Sequence, residues 1–183
     1  IETHLLQRPF LVLATQNPVE LEGTLPLPEA QLDRFLMKVA LGYPSAAEEN
    51  DILLRFEQTD PLDTLTQVVE AAEILKMQQA VRQIKVEASV RQYLVAVCRA
   101  TRDHEDIELG ASPRATMALY RTCQALAAIN GRSFVIPDDV KTMTPYVLTH
   151  RLIVNPQTRL RGRRPEEVIN EVVGTVPVPV ENE

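Results

Sequence analysis

Two arginines and one asparagine in this chain have the residue type and position to act on a phosphate-like anion. Arg114 follows a Ser-Pro pair (112–113) that is typical of a helix start, so its cation lies at the second helical position. Free backbone N–H groups at a helix start, together with a guanidinium, form a site for an anion. The alternative is that Arg114 turns back to pair with Glu105, Asp106 or Glu108. The spacing alone favours neither interpretation.

Asn17 and Arg34 are the other two candidates. Asn17 comes after an apolar run (9–14) and therefore stands at the end of a predicted strand, the edge of an α/β sheet where ligands bind. Taken alone, it is more typical of a turn ahead of Pro18. Arg34 lies next to Asp33 and, taken alone, is typical of a surface salt bridge.

Other kinds of chemistry have no support in the pattern. The sequence contains neither GxxxxGKS nor GxxxxGKT, the phosphate-binding loop. We predict no metal site, because no histidine has a second His or a Cys at ligand spacing: His4, His104 and His150. Three acidic pairs lie in the first turns of predicted helices, where the helix dipole explains them: Glu48–Glu49, Asp138–Asp139 and Glu166–Glu167.

The elements that position these candidates change character near residue 42. Before it, the apolar runs 9–14 and 35–41 predict buried strands, and residues 29–35 predict a short helix. The segment Gly42-Tyr43-Pro44 is predicted to be a hinge.

Beyond the hinge the apolar residues follow a helical period. Ser45 and Glu48 form a capping box ahead of Ile52, Leu53 and Phe56. Further helices are predicted at 71–82, at 89–101, from Ser112 to Asn130–Gly131, from Pro137 to a break or kink at Pro145, and from Pro165 to Gly174. The sequence thus predicts a sheet remnant followed by a helical bundle.

The amino-acid composition excludes some classes of protein. The chain has 183 residues, 45% of them hydrophobic, which suffices for one domain or two small ones. Its apolar runs are too short to span a bilayer, and its net charge of −6 has the wrong sign for generic nucleic-acid binding. Cys98 and Cys123 fall on apolar stripes and are predicted to be buried free thiols, as in a reducing cytoplasm. The chain begins at Ile1 in mid-pattern, as a fragment would.

Three motifs together resemble the MoxR family of AAA+ ATPases: residues 14–18 (ATQNP), 22–35 (EGTLPLPEAQLDRF) and 110–115 (GASPRA). Leu25 departs from the aromatic residue expected at its position. The resemblance covers nearly the whole chain and implies a mainly α fold. By this resemblance, residues 1–42 are expected to be the C-terminal part of a P-loop-type α/β AAA+ core, with the sensor 1 strand, the arginine-finger segment and the last strand. Residues 43–183 are expected to be an α-helical lid domain with a C-terminal tail.

The same resemblance implies a role for each candidate. Asn17 matches the catalytic sensor 1 residue, and Arg34 matches the arginine finger, which acts in trans on a neighbouring subunit. Arg114 matches the sensor 2 arginine that contacts the phosphates of ATP. Whether Arg114 acts in cis or in trans is left open.

The implied full-length protein is a cytoplasmic ATPase that uses ATP and Mg²⁺ and forms a ring, expected to be a hexamer. Such proteins are chaperone-like remodellers that assist complex assembly or cofactor insertion with von Willebrand factor A domain partners. Walker A and Walker B would lie upstream of Ile1, so the chain alone is expected to be inactive and to bind no cofactor.

Two alternatives stay open at this point. One is a helical protein-interaction module without a nucleotide role. The other is an AAA+ nucleic-acid motor, which a patch of five arginines would serve: Arg151, Arg159, Arg161, Arg163 and Arg164.

Overall fold

A computed structural model describes residues 3–16, 27–58 and 60–179 of the chain. Of these residues, those up to 12 and from 39 to 78 form one compact unit. Those from 13 to 38 and from 79 onward form a second. The boundary at residue 78 falls inside a helix, and each unit is described by itself below.

The second unit is a helical bundle, and it contains every buried residue that the structure describes. Its helices are α1 (Glu29–Leu32), the end of α3 (Ala71–Val81), α4 (Ala88–Ala100), α5 (Pro113–Ile129), α6 (Pro137–Leu148), α7 (Pro156–Leu160) and α8 (Pro165–Thr175). Helices α4, α5, α6 and α8 pack around side chains that are almost completely buried: Leu94, Val97, Leu119, Val140, Val147, Leu148 and Ile169. The helical periodicity of the sequence therefore identified α4, α5, α6 and α8 correctly, whereas α7 was not predicted.

Two short strands, β1 (Ile107–Leu109) and β2 (Ile153–Val154), form an antiparallel pair in the second unit. Ile107 is paired with Val154, and Leu109 is paired with Ile153. The pairing ties the loop before α5 to the segment before α7, so that β1 helps to fix where α5 begins.

The strands predicted at 9–14 and 35–41 are not strands in the structure. A strand is defined by a backbone ladder to a neighbour, and within the described ranges these runs make none. In the second run, the Lys38 N–H instead donates to the Tyr146 carbonyl at the end of α6, at 2.9 Å. An apolar run indicates a buried strand only where another strand pairs with it, and the prediction was wrong here.

Helix α6 does not end at Pro145, where the sequence predicted a break or kink. It continues to Leu148, and a 3₁₀ turn (Thr149–Arg151) follows. Val147 and Leu148 are both completely buried, so core packing beyond the proline outweighs the backbone hydrogen bond that Pro145 cannot donate.

The first unit holds α2 (Ala46–Phe56), a 3₁₀ turn (Pro61–Thr64) and most of α3. The capping box predicted for α2 is confirmed: the Ser45 N–H donates to the Glu48 carboxylate at 2.8 Å, and the Glu48 N–H donates to the Ser45 hydroxyl at 3.4 Å. None of the residues described in this unit is buried.

Both cysteines are buried and free, as predicted, with Cys98 in α4 and Cys123 in α5. Burial raises the pKa of each thiol above its ordinary value. Among the helices described, none combines the length and the apolar character that crossing a bilayer requires.

Candidate functional site

Asp33 connects two parts of the second unit that are far apart in the sequence. It directly follows α1, and its Oδ1 accepts a hydrogen bond from the Ser112 hydroxyl at 3.1 Å. Its Oδ2 accepts a hydrogen bond from Nη1 of Arg114, also at 3.1 Å. The Nε of Arg151 lies 3.4 Å from Oδ1. One carboxylate thus faces a helix start and two guanidinium groups.

Arg114 lies where the sequence predicted it, at the start of α5. Ser112 is the N-cap, since its hydroxyl accepts a hydrogen bond from the Ala115 N–H at 3.2 Å, and Pro113 is the first helical residue. The Arg114 side chain is 59% exposed, and its carboxylate partner is Asp33, not an acidic residue at 105–108. An exposed ion pair of this kind is weak, so the guanidinium can exchange Asp33 for another anion at little cost.

Arg151 has the opposite environment, because its side chain is only 2% exposed. Its Nη2 donates to the carbonyl oxygen of Phe35 at 2.5 Å. Within the described part of the chain, its Nε and Nη1 make no hydrogen bond, although Nε is within ion-pair distance of Asp33. Burial lowers the pKa of Arg151 below its ordinary value, and the charge of Asp33 opposes that shift.

His150 contacts the same backbone oxygen as Arg151. Its Nε2 lies 3.3 Å from the Phe35 carbonyl oxygen. Burial lowers the pKa of this imidazole, and the contact with Phe35 opposes the shift. The turn after α6 therefore contacts the backbone directly after Arg34 through two neighbouring side chains.

Arg34 itself is exposed, between two residues that Arg151 contacts. None of the carboxylates in the described ranges forms an ion pair with it, since Asp33 faces Arg114 and Arg151. The structure thus brings the segment of Arg34 next to Arg114. Asn17 lies outside the described residues, as does Leu25.

Sequence reasoning missed the importance of Asp33 and Arg151. It treated Asp33 only as a neighbour of Arg34, and it assigned Arg151 to a basic patch. A signal for Arg151 was available: it follows Val147 by four residues and Leu148 by three, so it continues the apolar face of α6. An arginine on an apolar helical face is rarely buried unless it is paired.

The remaining arginines of that patch are largely engaged in contacts within the chain. Arg163 forms ion pairs with Asp106 and Glu171, Arg164 pairs with Glu167, and Arg159 donates to a backbone carbonyl. Internal neutralisation of this kind reduces the positive charge that a nucleic-acid backbone would need.

Asp106 is the buried centre of this second cluster. It accepts hydrogen bonds from the Thr158 hydroxyl and from Arg163, and the Thr158 contact is the main cause of a lowered pKa. His104 and Glu171 lie close enough to make a possible metal-ligand set with it. Arg163, however, already bonds both carboxylates, so the cluster holds β1 to α7 and α8 rather than offering open ligands.

Comparison with known families places two domains in the chain. The model of the ATPase family associated with various cellular activities (AAA) matches residues 1–37, and the model of the AAA lid domain matches residues 99–172. The lid match covers α5 to α7, with Arg114 and Arg151, and the AAA match covers Asp33 and Arg34.

Comparison with individual proteins shows which members of the AAA+ class this chain resembles. The chain is 42% identical to YeaC of Bacillus subtilis, over 99% of this chain and 57% of that protein. It is 41% identical to Chaperone MoxR1 of Mycobacterium tuberculosis, over 95% of this chain and 48% of that protein. A crystal structure from Cytophaga hutchinsonii, described as a candidate ATPase, aligns with a TM-score of 0.89 and 33% identity, over 97% of this chain and 56% of the other.

The fold is therefore that of an AAA+ protein: the end of the α/β core followed by the helical lid, as the motifs implied. Within that class, the chain belongs to the MoxR family of AAA+ ATPases. It spans about half the length of the curated relatives that it matches.

Proposed function

We propose that the full-length protein containing this chain is an ATP-hydrolysing, chaperone-like remodeller of the MoxR type. The observation that carries the proposal is the position of Asp33, which links the arginine at the start of α5 to the segment of Arg34. A helical interaction module has no need for two arginines beside one carboxylate. A phosphoryl-transfer site needs such cations to neutralise the charge on the transferred group.

Each candidate residue has a role in that reaction. Arg34, exposed on a fixed backbone, acts as the finger that reaches the γ-phosphate bound to a neighbouring subunit. Asn17 orients the attacking water through its amide. Arg114 contacts the phosphates and so makes the position of the lid depend on the bound nucleotide.

Arg114 suits an anion such as the triphosphate of ATP. Its side chain is largely exposed and lies in the first turn of a helix of 17 residues, where backbone N–H groups and the dipole favour negative charge. The other residues that hold ATP and Mg²⁺ would come from the rest of the full-length protein. The chain alone would not hydrolyse ATP, because it has no phosphate-binding loop sequence.

The wider setting is also proposed from the family. Residues 1–42 would complete the AAA+ core and residues 43–183 would form the lid domain with its tail. The full-length protein would form a ring, expected to be a hexamer, in the cytoplasm. It would act on proteins with von Willebrand factor A domains in complex assembly or cofactor insertion.

The experiment is to replace Arg34 and Asn17 separately by Ala in the full-length protein, and to measure ATP binding and steady-state hydrolysis. Arg34→Ala should lower kcat by about 10³-fold or more while binding changes little, since a finger acts on the transition state. Asn17→Ala should lower kcat more than affinity. Arg55→Ala, at an exposed arginine of α2, is the matched control. Normal hydrolysis by Arg34→Ala would contradict the finger assignment, and a loss of affinity alone in Asn17→Ala would contradict the role in orienting water.

A further inference from the structure

We propose that Arg151 is a positioning residue that fixes the backbone of Arg34 to the lid, so that the finger moves with the lid of its own subunit. This inference rests on the proposed function, because it concerns the reach of Arg34. It is carried by contacts within one compact unit, and nothing in the sequence motifs assigns a role to Arg151.

The contacts of Arg151 lie on both sides of Arg34. Its Nε is 3.4 Å from the carboxylate of Asp33, the residue before, and its Nη2 donates to the carbonyl of Phe35, the residue after. The hydrogen bond to Phe35 and the ion-pair contact with Asp33 come from one rigid, planar guanidinium, so a single side chain contacts both neighbours of Arg34. Arg34 is therefore exposed on a backbone that is held at both of its flanks.

Further bonds hold the same segment. The Arg34 N–H donates to Gln31 and the Phe35 N–H donates to Leu32, which closes the turn after α1. The Lys38 N–H donates to Tyr146 in α6. The Lys38–Tyr146 bond and the contacts of Arg151 therefore attach residues 33–38 to α6 and to the turn that follows it.

The burial of Arg151 costs more free energy than a purely structural role would explain. Its guanidinium is buried, yet two of its three nitrogens make no hydrogen bond within the described residues. A buried charge with incomplete partners is costly, and apolar residues of similar volume often stabilise such a position at least as well. This loss of stability is explained if the role of the guanidinium is to hold the backbone of residues 33–35 in place.

Asp33 shows why this attachment would persist when Arg114 moves. Arg114 is exposed and bonds Oδ2, whereas Arg151 is buried and lies near Oδ1. If a phosphate takes Arg114 from Asp33, Arg151 still holds Asp33 and Phe35. The lid could then respond to nucleotide through Arg114 and carry Arg34 with it.

The test uses full-length rings made from two kinds of subunit. One carries Arg151→Met with an intact phosphate-binding loop. The other has the lysine of its phosphate-binding loop replaced, so that it binds no ATP but offers an intact finger. If Arg151 serves the neighbour's site through Arg34, rings made of either subunit alone should hydrolyse ATP slowly. In mixed rings the intact finger of the ATP-free subunit reaches the ATP bound to the Arg151→Met subunit, so the rate should rise well above the summed rates of the two separate rings. The Arg151→Met homomer should lose at least about tenfold in kcat with little change in KM, because an error of about 1 Å in placing a group can cost about 100-fold.

The controls separate this proposal from the one on which it rests. Arg34→Ala subunits mixed with the same ATP-free subunits should also recover activity, and Arg161→Met, at an exposed arginine, should behave as wild type. Recovery with Arg34→Ala but not with Arg151→Met would overturn the role of Arg151 and leave the finger intact. No recovery with either would overturn the proposed action in trans. If Arg151→Met does not fold, the same mixing experiment is done with Arg151→Lys. Lysine keeps the positive charge but lacks the planar guanidinium, so this variant should also lose kcat and recover activity in mixed rings.

Discussion

Helices α2 and α4 have the same kind of apolar stripe but opposite environments. In α4 the stripe of Val90, Tyr93, Leu94, Val97 and Cys98 is buried. In α2, Ile52, Leu53 and Phe56 are 45%, 71% and 58% exposed. The periodicity that predicts a helix thus says nothing about whether a partner covers its apolar face. The difference teaches that local pattern and burial are separate properties, and that stability follows burial.

The largest effect should separate these two regions. Leu119→Ala removes a completely buried side chain of α5 from the core and should lower the free energy of unfolding by about 3 kcal/mol, through lost burial and a cavity. Leu53→Ala in α2 makes the same chemical change at an exposed position and should cost less than about 0.5 kcal/mol. Urea unfolding of the chain, followed by circular dichroism, measures both. Equal losses would mean that α2 is covered in solution and that the contrast between the two helices is wrong.

A second contrast lies within one helix turn, at Asp138 and Asp139. Asp139 is buried, forms an ion pair with Arg132 and accepts a hydrogen bond from the Ile136 N–H at 2.9 Å. Asp138 is 76% exposed and forms an ion pair with Lys141. Asp139→Ala should therefore lower the free energy of unfolding by about 2 kcal/mol, because it leaves the Arg132 guanidinium and the Ile136 N–H without their acceptor.

Asp138→Ala is the matched control and should change the free energy of unfolding by no more than about 0.5 kcal/mol. Thermal unfolding of both variants beside the wild type makes the comparison. If the two substitutions proved equivalent, the helix dipole would suffice to explain both carboxylates, as the sequence had suggested.

The smallest effect concerns pH and the Asp106 cluster. Folding lowers the pKa of Asp106, chiefly through Thr158 and also through Arg163. Its stabilising contribution is therefore present above the pKa of the unfolded chain, about 3.9, and is lost as the pH falls through the lower folded value. Between about pH 7 and about pH 3, Asp106→Asn should lose less stability than the wild type does.

Melting temperatures across that range test the expectation. Glu48 and Glu167 also have lowered pKa values but remain in both proteins, so the difference between the two curves isolates Asp106. Asp103→Asn, at a neighbouring exposed carboxylate, should give the curve of the wild type. Parallel curves for Asp106→Asn and the wild type would contradict the role of the cluster.

Much of the helical part could be predicted from the sequence because its signals are local. The hydroxyls of Ser45 and Ser112 accept hydrogen bonds from the N–H groups of Glu48 and Ala115 within the next turn, and the structure has both helix starts as predicted. The apolar runs 9–14 and 35–41 were wrongly predicted to be strands, because a strand depends on a partner elsewhere in the chain. Pro145 shows the same dependence: distant core contacts of Val147 and Leu148 decide where α6 ends.

In the candidate site, too, local features could be predicted from the sequence and long-range contacts could not. The motifs singled out Arg34 and Arg114 from residue type and spacing, and they identified the family. That Arg114 faces Asp33, and that Arg151 is buried against Phe35, requires contacts across about 80 and 116 positions of the chain. The sequence by itself determined helix starts, the period of the helices and the membership of the family, because short-range bonding and residue order encode them. Only the tertiary structure decided which of several equivalent-looking charges are buried and paired, because burial depends on which distant elements meet.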